Sequence, residues 1–236
     1  MEKISKAQIK LVRSLQQKKF RDESGLFVAE GNKCVDELRK SFELVHLYRE
    51  GENATRTEIE QMSGLRTPQG VVGVFKKRPI EDCRLKIEDL ILALDGIQDP
   101  GNLGTIIRTC DWFGVHDIVC SLDTADCYNP KVVQATMGAL ARVRVHYVDL
   151  PAWLQEQSCP IIGTLLEGKD MYENPLPKEG IIVMGNEGNG ISAAVRQLVS
   201  HPVRIPSYPK NAETSESLNV SIATAIVLAE FRRLES

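Results

Sequence analysis

The chain has 236 residues, of which 42% are hydrophobic and 26% charged, a composition that is ordinary for a globular protein. It shows no repeat, no low-complexity tract, no apolar run near the ~20 residues of a membrane span and no secretory signal, so we expect a cytoplasmic protein. Six scattered cysteines without a Cys-x-x-Cys pair predict reduced thiols and indicate neither a zinc site nor a disulfide framework.

The formal net charge of −3 hides an asymmetry between the two parts of the chain. Residues 1–78 contain 16 Lys and Arg against 11 Asp and Glu, whereas the remainder contains 13 against 21. A basic N-terminal part on an acidic body favours a nucleic-acid partner, although a solvated helix face would give the same counts. The candidate basic contacts are Lys10, Arg13, Lys18, Lys19 and Arg21.

Residues 1–78 are predicted to form a small alternating α/β unit with its own core. Ser5 and Gln8 fit a capping box at the start of a basic helix, and Thr57 and Glu60 suggest another box before a later helix. The expected elements, in chain order, are the helix from Ser5, strand 26–30, helix 32–42, strand 45–49, the helix after Thr57 and strand 70–77.

A charged, proline-containing linker at 79–89 is predicted to lead into a second α/β unit at 90–236. Its first strand is an unbroken apolar run, which is typical of a strand buried on both faces of a parallel sheet. The expected elements are strands at 90–97, 117–122, 142–148, 160–166, 180–185 and 202–206, and helices at 102–113, 129–140, 151–157, 191–200 and 218–234. Strands that alternate with helices predict a parallel sheet covered on both sides.

Three strand ends of the second unit are polar and rich in glycine, at 95–109, 184–192 and 205–221. Ligands of open parallel sheets bind outside such ends, although each loop alone could be only a tight turn. The glycine spacing of "GNEGNG" and its late position do not fit a dinucleotide fingerprint, and no P-loop sequence occurs. None of the loops contains histidine, which disfavours a Ser-His-Asp or Cys-His hydrolase and a histidine metal site.

The polar groups that remain in these loops are an arginine, asparagines, serines and backbone amides. They favour chemistry on a pre-activated small-molecule donor, although Arg108 could instead form a structural ion pair. The stretch "SLNVS" at 217–221 places three polar side chains before an apolar helix. Ser217 is the expected N-cap, and one cap does not account for Asn219 and Ser221, so the cluster indicates a further role.

The three loops resemble, in order, the three motifs of the SpoU/TrmH family of RNA 2′-O-ribose methyltransferases, in the SPOUT superfamily. "DPGNLGTIIRT" is similar to the pattern N-x-G-x-[IV]-x-R, "IVMGNEGNGIS" to G-x-E-x-x-G, and "ESLNVSIATAI" to S-L-N-V-S-x-A. The resemblance covers roughly residues 88–236. The front segments "FRDESGLFVAEGNKCVDELR" and "TPQGVVGVF" resemble the small α/β, ribosomal-protein-like substrate-binding domain of many members.

The resemblance implies a C-terminal parallel-sheet SPOUT domain whose chain threads a deep trefoil knot. It also implies bound S-adenosylmethionine, an RNA substrate and a homodimer with the active site at its interface; no metal is expected. The implied polar site residues are Asn102, Arg108, Glu187, Ser217 and Asn219. The implied cofactor contacts are Thr164, Gly185, Ile205 and Leu218.

In the family the motif arginine, here Arg108, is proposed as the base. Because the pKa of arginine is roughly 12.5 or more, we favour a role in binding the phosphate beside the target ribose. Asn102 is expected to orient the ribose or phosphate, and Glu187 to position Arg108 or bridge the dimer. The chain departs from the family in the longer loop 207–216 and in Cys110 and Asp111 after the arginine.

Two other functions stay open at this point, a non-catalytic RNA-binding protein of the same fold and a nucleotide-dependent oxidoreductase. The retained motif residues argue against the first, and the glycine spacing argues against the second. Within the methyltransferase interpretation, the front domain favours large-subunit rRNA over tRNA as the substrate.

Overall fold

The computed structural model describes residues 4–79, 83, 85–209 and 217–234. Its contacts divide the chain into two compact units, Met1–Ile80 with Asp126–Arg142, and Glu81–Ala125 with Val143–Ser236. The segment Asp126–Arg142 thus belongs to the first unit, whereas the sequence placed it in the second. Residues 80–82 and 84 of the predicted linker and 210–216 of the long loop lie outside the described residues.

The elements are numbered along the chain. The helices are α1 (Lys6–Ser14), α2 (Lys18–Ser24), α3 (Asn32–Leu38), α4 (Arg56–Met62), α5 (Pro100–Trp112), α6 (Pro130–Thr136), α7 (Leu150–Gln155), α8 (Ala193–Arg196) and α9 (Val220–Arg233). The strands are β1 (Leu26–Glu30), β2 (Leu44–Arg49), β3 (Val71–Lys76), β4 (Leu90–Asp95), β5 (Asp117–Ser121), β6 (Arg144–Val148), β7 (Ile161–Asp170), β8 (Gly180–Gly185) and β9 (His201–Arg204). Within the described part of the chain, no helix has the length and apolarity to cross a membrane.

The first unit is built on an antiparallel sheet of order β1-β3-β2, covered by helices. Side chains alternate between its two faces, as the pleat of a strand requires. Val28 joins Val12 and Ile59 in one buried cluster. Phe27, the preceding residue, instead stacks against other aromatic rings, including Tyr128 of the Asp126–Arg142 segment. The predicted small α/β unit is therefore present, and this segment supplies part of its core.

The predicted single basic helix is wrong, because the chain forms α1 and α2 with a break between them. The Ser5 and Gln8 capping box is confirmed at the start of α1. At the other end, the Arg21 guanidinium donates hydrogen bonds to the carbonyls of Leu15 and Gln16 at 2.8 and 3.1 Å. A side chain from α2 thus satisfies carbonyls that continued helix would otherwise have paired.

Two further local predictions are wrong: one capping box is shifted by two residues, and one helix ends earlier than predicted. The capping box of α4 is formed by Thr55 and Glu58, not by Thr57 and Glu60, because the chain is still extended at Thr55. The helix predicted at 129–140 ends early, because Met137 and Gly138 both adopt left-handed conformations. A β-carbon at Gly138 would lie 2.5 Å from the Glu37 side chain, so this close approach requires glycine.

The second unit confirms the predicted parallel sheet, with strand order β6-β5-β4-β8-β7-β9. Strands β4 and β8 lie at its centre and are buried along their length, apart from partly exposed Gly185 at the end of β8. One face packs against α7 and α8, and α9 packs on β8 and on α5. The trefoil knot implied by the resemblance stays a prediction. The helix predicted at 191–200 is shorter, since only α8 is helical.

Candidate active site

The centre of the sheet brings two of the predicted loops together. Asp95 ends β4 directly beside Gly185, which ends β8, so the segments that follow both strands share one edge. The chain order reverses between these strands, which is where α/β sheets bind ligands. Asp99 caps α5 by accepting the Asn102 amide at 2.8 Å, and this fixes Asn102 in the first turn.

Side-chain hydrogen bonds connect all three predicted loops. The Asn102 Nδ2 group donates to Glu187 Oε1 at 3.0 Å. The Asn219 Nδ2 group donates to Asn102 Oδ1, also at 3.0 Å. Three of the five predicted polar residues therefore form one continuous chain of contacts, which links the start of α5, the loop after β8 and the start of α9.

The N-cap of α9 is Asn219, so the expectation of a Ser217 cap is wrong. Asn219 Oδ1 accepts the amides of Ser221 and Ile222 at 3.0 and 3.4 Å and the Ser221 hydroxyl at 2.6 Å. Asn219 lies two residues nearer the helix and uses its short amide to reach both donors. Ser217 is exposed and makes no hydrogen bond with the residues that the structure describes.

Glu187 lies in an environment that favours its ionised form. Partial burial alone would raise the pKa of Glu187, but hydrogen bonds from Asn102 and from the amides of Gln98 and Asp99 outweigh burial and hold the pKa below its ordinary value. A carboxylate with a lowered pKa is a poor proton acceptor at neutral pH. Its described contacts are with the side chains of Asn102 and Asn186 and with backbone amides, and the expected contact with Arg108 is not among them.

Arg108 lies on α5, two helical turns after Gly101, and its side chain is exposed. It forms no ion pair or hydrogen bond with any residue that the structure describes. The structural ion pair considered for Arg108 is therefore not seen among those residues. The guanidinium keeps its five donors in a planar arrangement that matches phosphate. Asn102 and Asn219 each also retain one N–H that no described residue accepts. The site thus offers N–H donors rather than a free base.

The four predicted cofactor contacts lie in or after three neighbouring strands and directly before the N-cap of α9. Gly185 ends β8, Thr164 lies in the adjacent β7, and Ile205 follows β9, which pairs with β7. The Thr164 hydroxyl donates to the Val183 carbonyl at 3.0 Å, so this hydroxyl already has a partner. A β-carbon at Gly185 would lie 2.2 Å from the Gly190 carbonyl carbon, so only glycine fits.

These residues fit a nucleoside-like ligand held by backbone groups. Thr164, Gly185 and Ile205 are only partly covered, although they flank the buried centre of the sheet. Leu218 is 48% exposed and lies two residues before the buried Val220 of α9. The strand ends therefore offer amides and carbonyls beside an uncovered apolar side chain, which suits an adenosyl group.

Two positioning side chains escaped the sequence interpretation. Asp95 is buried and accepts the Ser192 amide at 2.7 Å. Asn186 donates to the Gly96 carbonyl at 2.6 Å and accepts the amides of Gly188 and Asn189. Both join the loop after β4 to the loop after β8. The available signal was a polar residue directly after an apolar strand, where a buried polar group needs a partner.

The basic candidates of the first unit divide into three kinds. Lys10 and Arg13 are exposed on α1 and have no acidic partner among the described residues. Lys18 and Lys19 are exposed on α2 but lie 2.8 and 3.9 Å from Asp22 and Glu23. The prediction that Arg21 contacts RNA is wrong for this structure, because a buried side chain cannot reach a ligand.

The Arg21 side chain is 1% exposed and pairs with Asp126 at 2.7 Å. A buried guanidinium needs a partner of opposite charge, which Asp126 provides, and Nη1 of Arg21 donates to the carbonyls of Leu15 and Gln16. In the part of the chain that the structure describes, no group of three or more Asp, Glu, His and Cys side chains is placed to hold a metal.

The comparisons with known proteins agree with this fold and identify the family. The family model "SpoU rRNA Methylase family" matches residues 89–229, and the model "MRM3-like substrate binding domain" matches residues 6–54. Because the first match covers more than half of the chain, the protein belongs to the SpoU rRNA methylase family. The predicted family is thereby confirmed.

The chain is similar to several members over nearly its whole length. It is 28% identical to the 23S rRNA (guanosine(2553)-2′-O)-methyltransferase RlmP of Bacillus subtilis, over 98% of both chains. A TrmH-family structure from Porphyromonas gingivalis matches with a TM-score of 0.89 and 37% identity, covering 98% of this chain and 99% of that one. An AdoMet-bound rRNA methyltransferase from Sinorhizobium meliloti matches with a TM-score of 0.86 and 31% identity, covering 99% and 97%.

Proposed function

We propose that this protein transfers a methyl group from S-adenosylmethionine to a ribose 2′-hydroxyl of structured RNA, and that the RNA is 23S-type rRNA rather than tRNA. The observation that carries the proposal is the hydrogen-bonded cluster of Asn102, Glu187 and Asn219, in a chain of the SpoU family. Arg108, on the same helix as Asn102, is exposed and has no partner among the residues that the structure describes. The relative RlmP is named for the 2′-oxygen of a guanosine in 23S rRNA, which supports the substrate class.

S-adenosylmethionine would be held by the backbone of Thr164, Gly185, Ile205 and Leu218. The Sinorhizobium meliloti relative binds this cofactor, which supports the assignment. When bound, the cofactor supplies a methyl group on a positively charged sulfur, so the leaving group needs no activation by the protein. We expect binding to be independent of metal. Calorimetry in the presence of a chelator should give the same affinity, and a requirement for a divalent ion would contradict this.

The chain's own task is to align the ribose hydroxyl and to stabilise charge beside it. Arg108 would bind the phosphate next to the target ribose and thereby favour loss of the hydroxyl proton. Asn102 and Asn219 would each offer one N–H to ribose or phosphate oxygens. Glu187 would hold Asn102 rather than remove the proton, since its pKa is lowered and its oxygens already accept hydrogen bonds. Ser217, exposed in the same loop, stays a candidate contact.

The homodimer is a proposal with support from exposed apolar side chains of the second unit. Trp112 at the end of α5 is 84% exposed, and Ile222 in the first turn of α9 is 53% exposed. The two helices pack against each other, so these side chains lie on a connected pair of elements. Sedimentation at micromolar concentration should show a dimer that Trp112→Glu dissociates. A fully active monomer would contradict the proposal.

The first unit is proposed to bind RNA through Lys10, Arg13, Lys18 and Lys19, while residues 90–236 perform the chemistry in the cytoplasm. The match of residues 6–54 to a substrate-binding domain supports this division.

The proposal is tested by labelled methyl transfer in vitro. We expect label from S-adenosylmethionine to enter unmodified 23S-type rRNA, and nuclease digestion to recover it in a 2′-O-methylated nucleoside. Transfer to tRNA alone would contradict the RNA class, and transfer to a base would contradict the reaction. Cofactor binding without any transfer would favour the non-catalytic alternative.

A further inference from the structure

The chain of hydrogen bonds through the site has an acceptor at one end and donors at the other. Glu187, at the first end, is a carboxylate and can only accept. At the second end, the amides of Ser221 and Ile222 can only donate. Between them are two asparagines, each with a carbonyl oxygen and an amino group that can exchange places by rotation. The fixed ends therefore decide the orientation of both asparagines.

The observed orientation satisfies every member. The Asn102 amino group faces Glu187, so its carbonyl oxygen faces Asn219. The Asn219 amino group faces Asn102, so its carbonyl oxygen faces the start of α9 and caps the helix. If either asparagine amide were rotated by half a turn, two N–H donors or two oxygen acceptors would face each other. The cap of α9 consequently depends on a carboxylate in another loop.

We propose that Glu187 is a positioning residue that fixes the N-cap of α9 through Asn102 and Asn219. The geometry concerns the protein alone, and only its consequence for cofactor affinity rests on the proposed function. Glu187 is well suited to this role because its two oxygens also accept the amides of Gln98 and Asp99, which holds the carboxylate in place.

Glu187→Gln is the informative substitution because it preserves shape and removes the acceptor-only character. If the glutamine oxygen stays on Asn102, its amino group opposes the Gln98 amide. If the glutamine reverses, its amino group faces Asn102, which must then reverse as well. Asn219 would follow and would turn its own amino group toward the donors of α9, so the cap would be lost.

The test is amide hydrogen exchange at Ser221 and Ile222 in the full chain without ligand. We expect Asn219→Ala to speed exchange about fivefold to tenfold, the range typical of a lost N-cap. Glu187→Gln should speed it about twofold to fivefold. The matched control is Glu156→Gln, which removes an exposed carboxylate of the same unit and should leave exchange unchanged.

A double-mutant cycle separates the relay from a general loosening. Once Asn219 is alanine, Glu187→Gln should add nothing to the exchange rates of the two amides. Additive effects, or unchanged exchange in Glu187→Gln alone, would overturn the proposal. An equal melting temperature for wild type and Glu187→Gln would show that the faster exchange is local. A global loss of stability large enough to explain the faster exchange would also overturn the proposal.

A parallel titration with S-adenosylmethionine separates this inference from the proposed function. Weaker cofactor binding in Glu187→Gln, alongside faster exchange, supports both. Absence of cofactor binding in the wild type would refute the proposed function, whereas the exchange data would still decide on the relay.

Discussion

Helix α2 of the first unit and helix α5 of the second unit each contain an arginine that the sequence marked as functional. Arg21 on α2 is buried, pairs with Asp126 and caps α1. Arg108 on α5 is exposed and has no partner within the described ranges. The same type of side chain is structural in one region, whereas in the other it is exposed and is proposed to bind phosphate.

This difference shows what each kind of sequence signal can predict. Arg21 was selected by counting charge, and a count does not reveal which cations the fold will bury. Arg108 was selected by its place in a motif, whose spacing reflects a site. The following predictions test the distinction, from the largest expected effect to the smallest.

Arg21→Met should destabilise the first unit by about 3–5 kcal/mol, because it leaves the largely covered Asp126 carboxylate without its partner and the carbonyls of Leu15 and Gln16 without this donor. Urea denaturation would measure the change. Arg13→Met on the exposed face of α1 is the control and should change stability by less than about 0.5 kcal/mol. Equal small effects for both variants would contradict a structural role for Arg21.

Arg108→Lys should reduce methyl transfer on the order of 10²-fold and leave cofactor affinity within about twofold. Lysine keeps the charge but loses the planar pair of donors that grips a phosphate. Single-turnover transfer, measured beside a cofactor titration, distinguishes the two effects. Near-normal transfer would mean that charge alone suffices, and a lost cofactor site would mean that Arg108 is structural after all.

His146 extends the comparison to a paired cation of the second unit. The pKa of His146 is raised from 6.5 to about 9. The main cause is its hydrogen bond to Asp117 at 2.8 Å, and the second is its contact with the Cys83 thiol. The folded chain thus holds a proton that the unfolded chain releases near pH 6.5, so this stabilisation is complete below pH 6.5 and is lost as pH rises through about 9.

We expect the pair to contribute roughly 1–2 kcal/mol below that window. Melting temperatures at pH 6 and pH 9.5 should therefore differ more for the wild type than for His146→Gln. The same pH dependence in both proteins would contradict a stabilising charge on this histidine.

The smallest effect concerns the exposed cations of the first unit. Replacing Lys10 and Arg13 with alanine should reduce the salt dependence of RNA binding, because each phosphate contact releases counterions. The slope of log binding constant against log salt concentration should become shallower by about 1–2. Replacing Lys18 and Lys19 should change it less, because Asp22 and Glu23 already pair with them. Cofactor affinity should not change. An unaltered slope in the first variant would mean that α1 is only a solvated face.

The sequence predicted those parts of the fold that depend on short, strong patterns. Strand β1 and the apolar strands β4 and β8 were found because their burial requires runs of apolar residues. The Ser5 cap was found because its two residues, Ser5 and Gln8, lie only three positions apart in the chain. The motif loops likewise identified the residues that meet at the site.

What escaped prediction depends on contacts between distant residues. At the break between α1 and α2, Arg21 donates to two backbone carbonyls and pairs with Asp126, which is 105 positions away. The assignment of Asp126–Arg142 to the first unit likewise follows from tertiary packing. At the site, Asn219 rather than Ser217 caps α9, and its orientation depends on Asn102, which is 117 positions away. No local pattern contains such information.

The most direct test of the proposed function is a map of ribose methylation in ribosomal and transfer RNA. The map is compared between cells with the gene, a deletion strain, and the deletion strain complemented with either wild type or Arg108→Lys. We predict one 2′-O-methylated nucleotide in the large-subunit rRNA that disappears on deletion, returns with the wild type and stays absent or weak with Arg108→Lys. Identical maps in all four strains, or a lost modification on tRNA or on a base, would contradict the account.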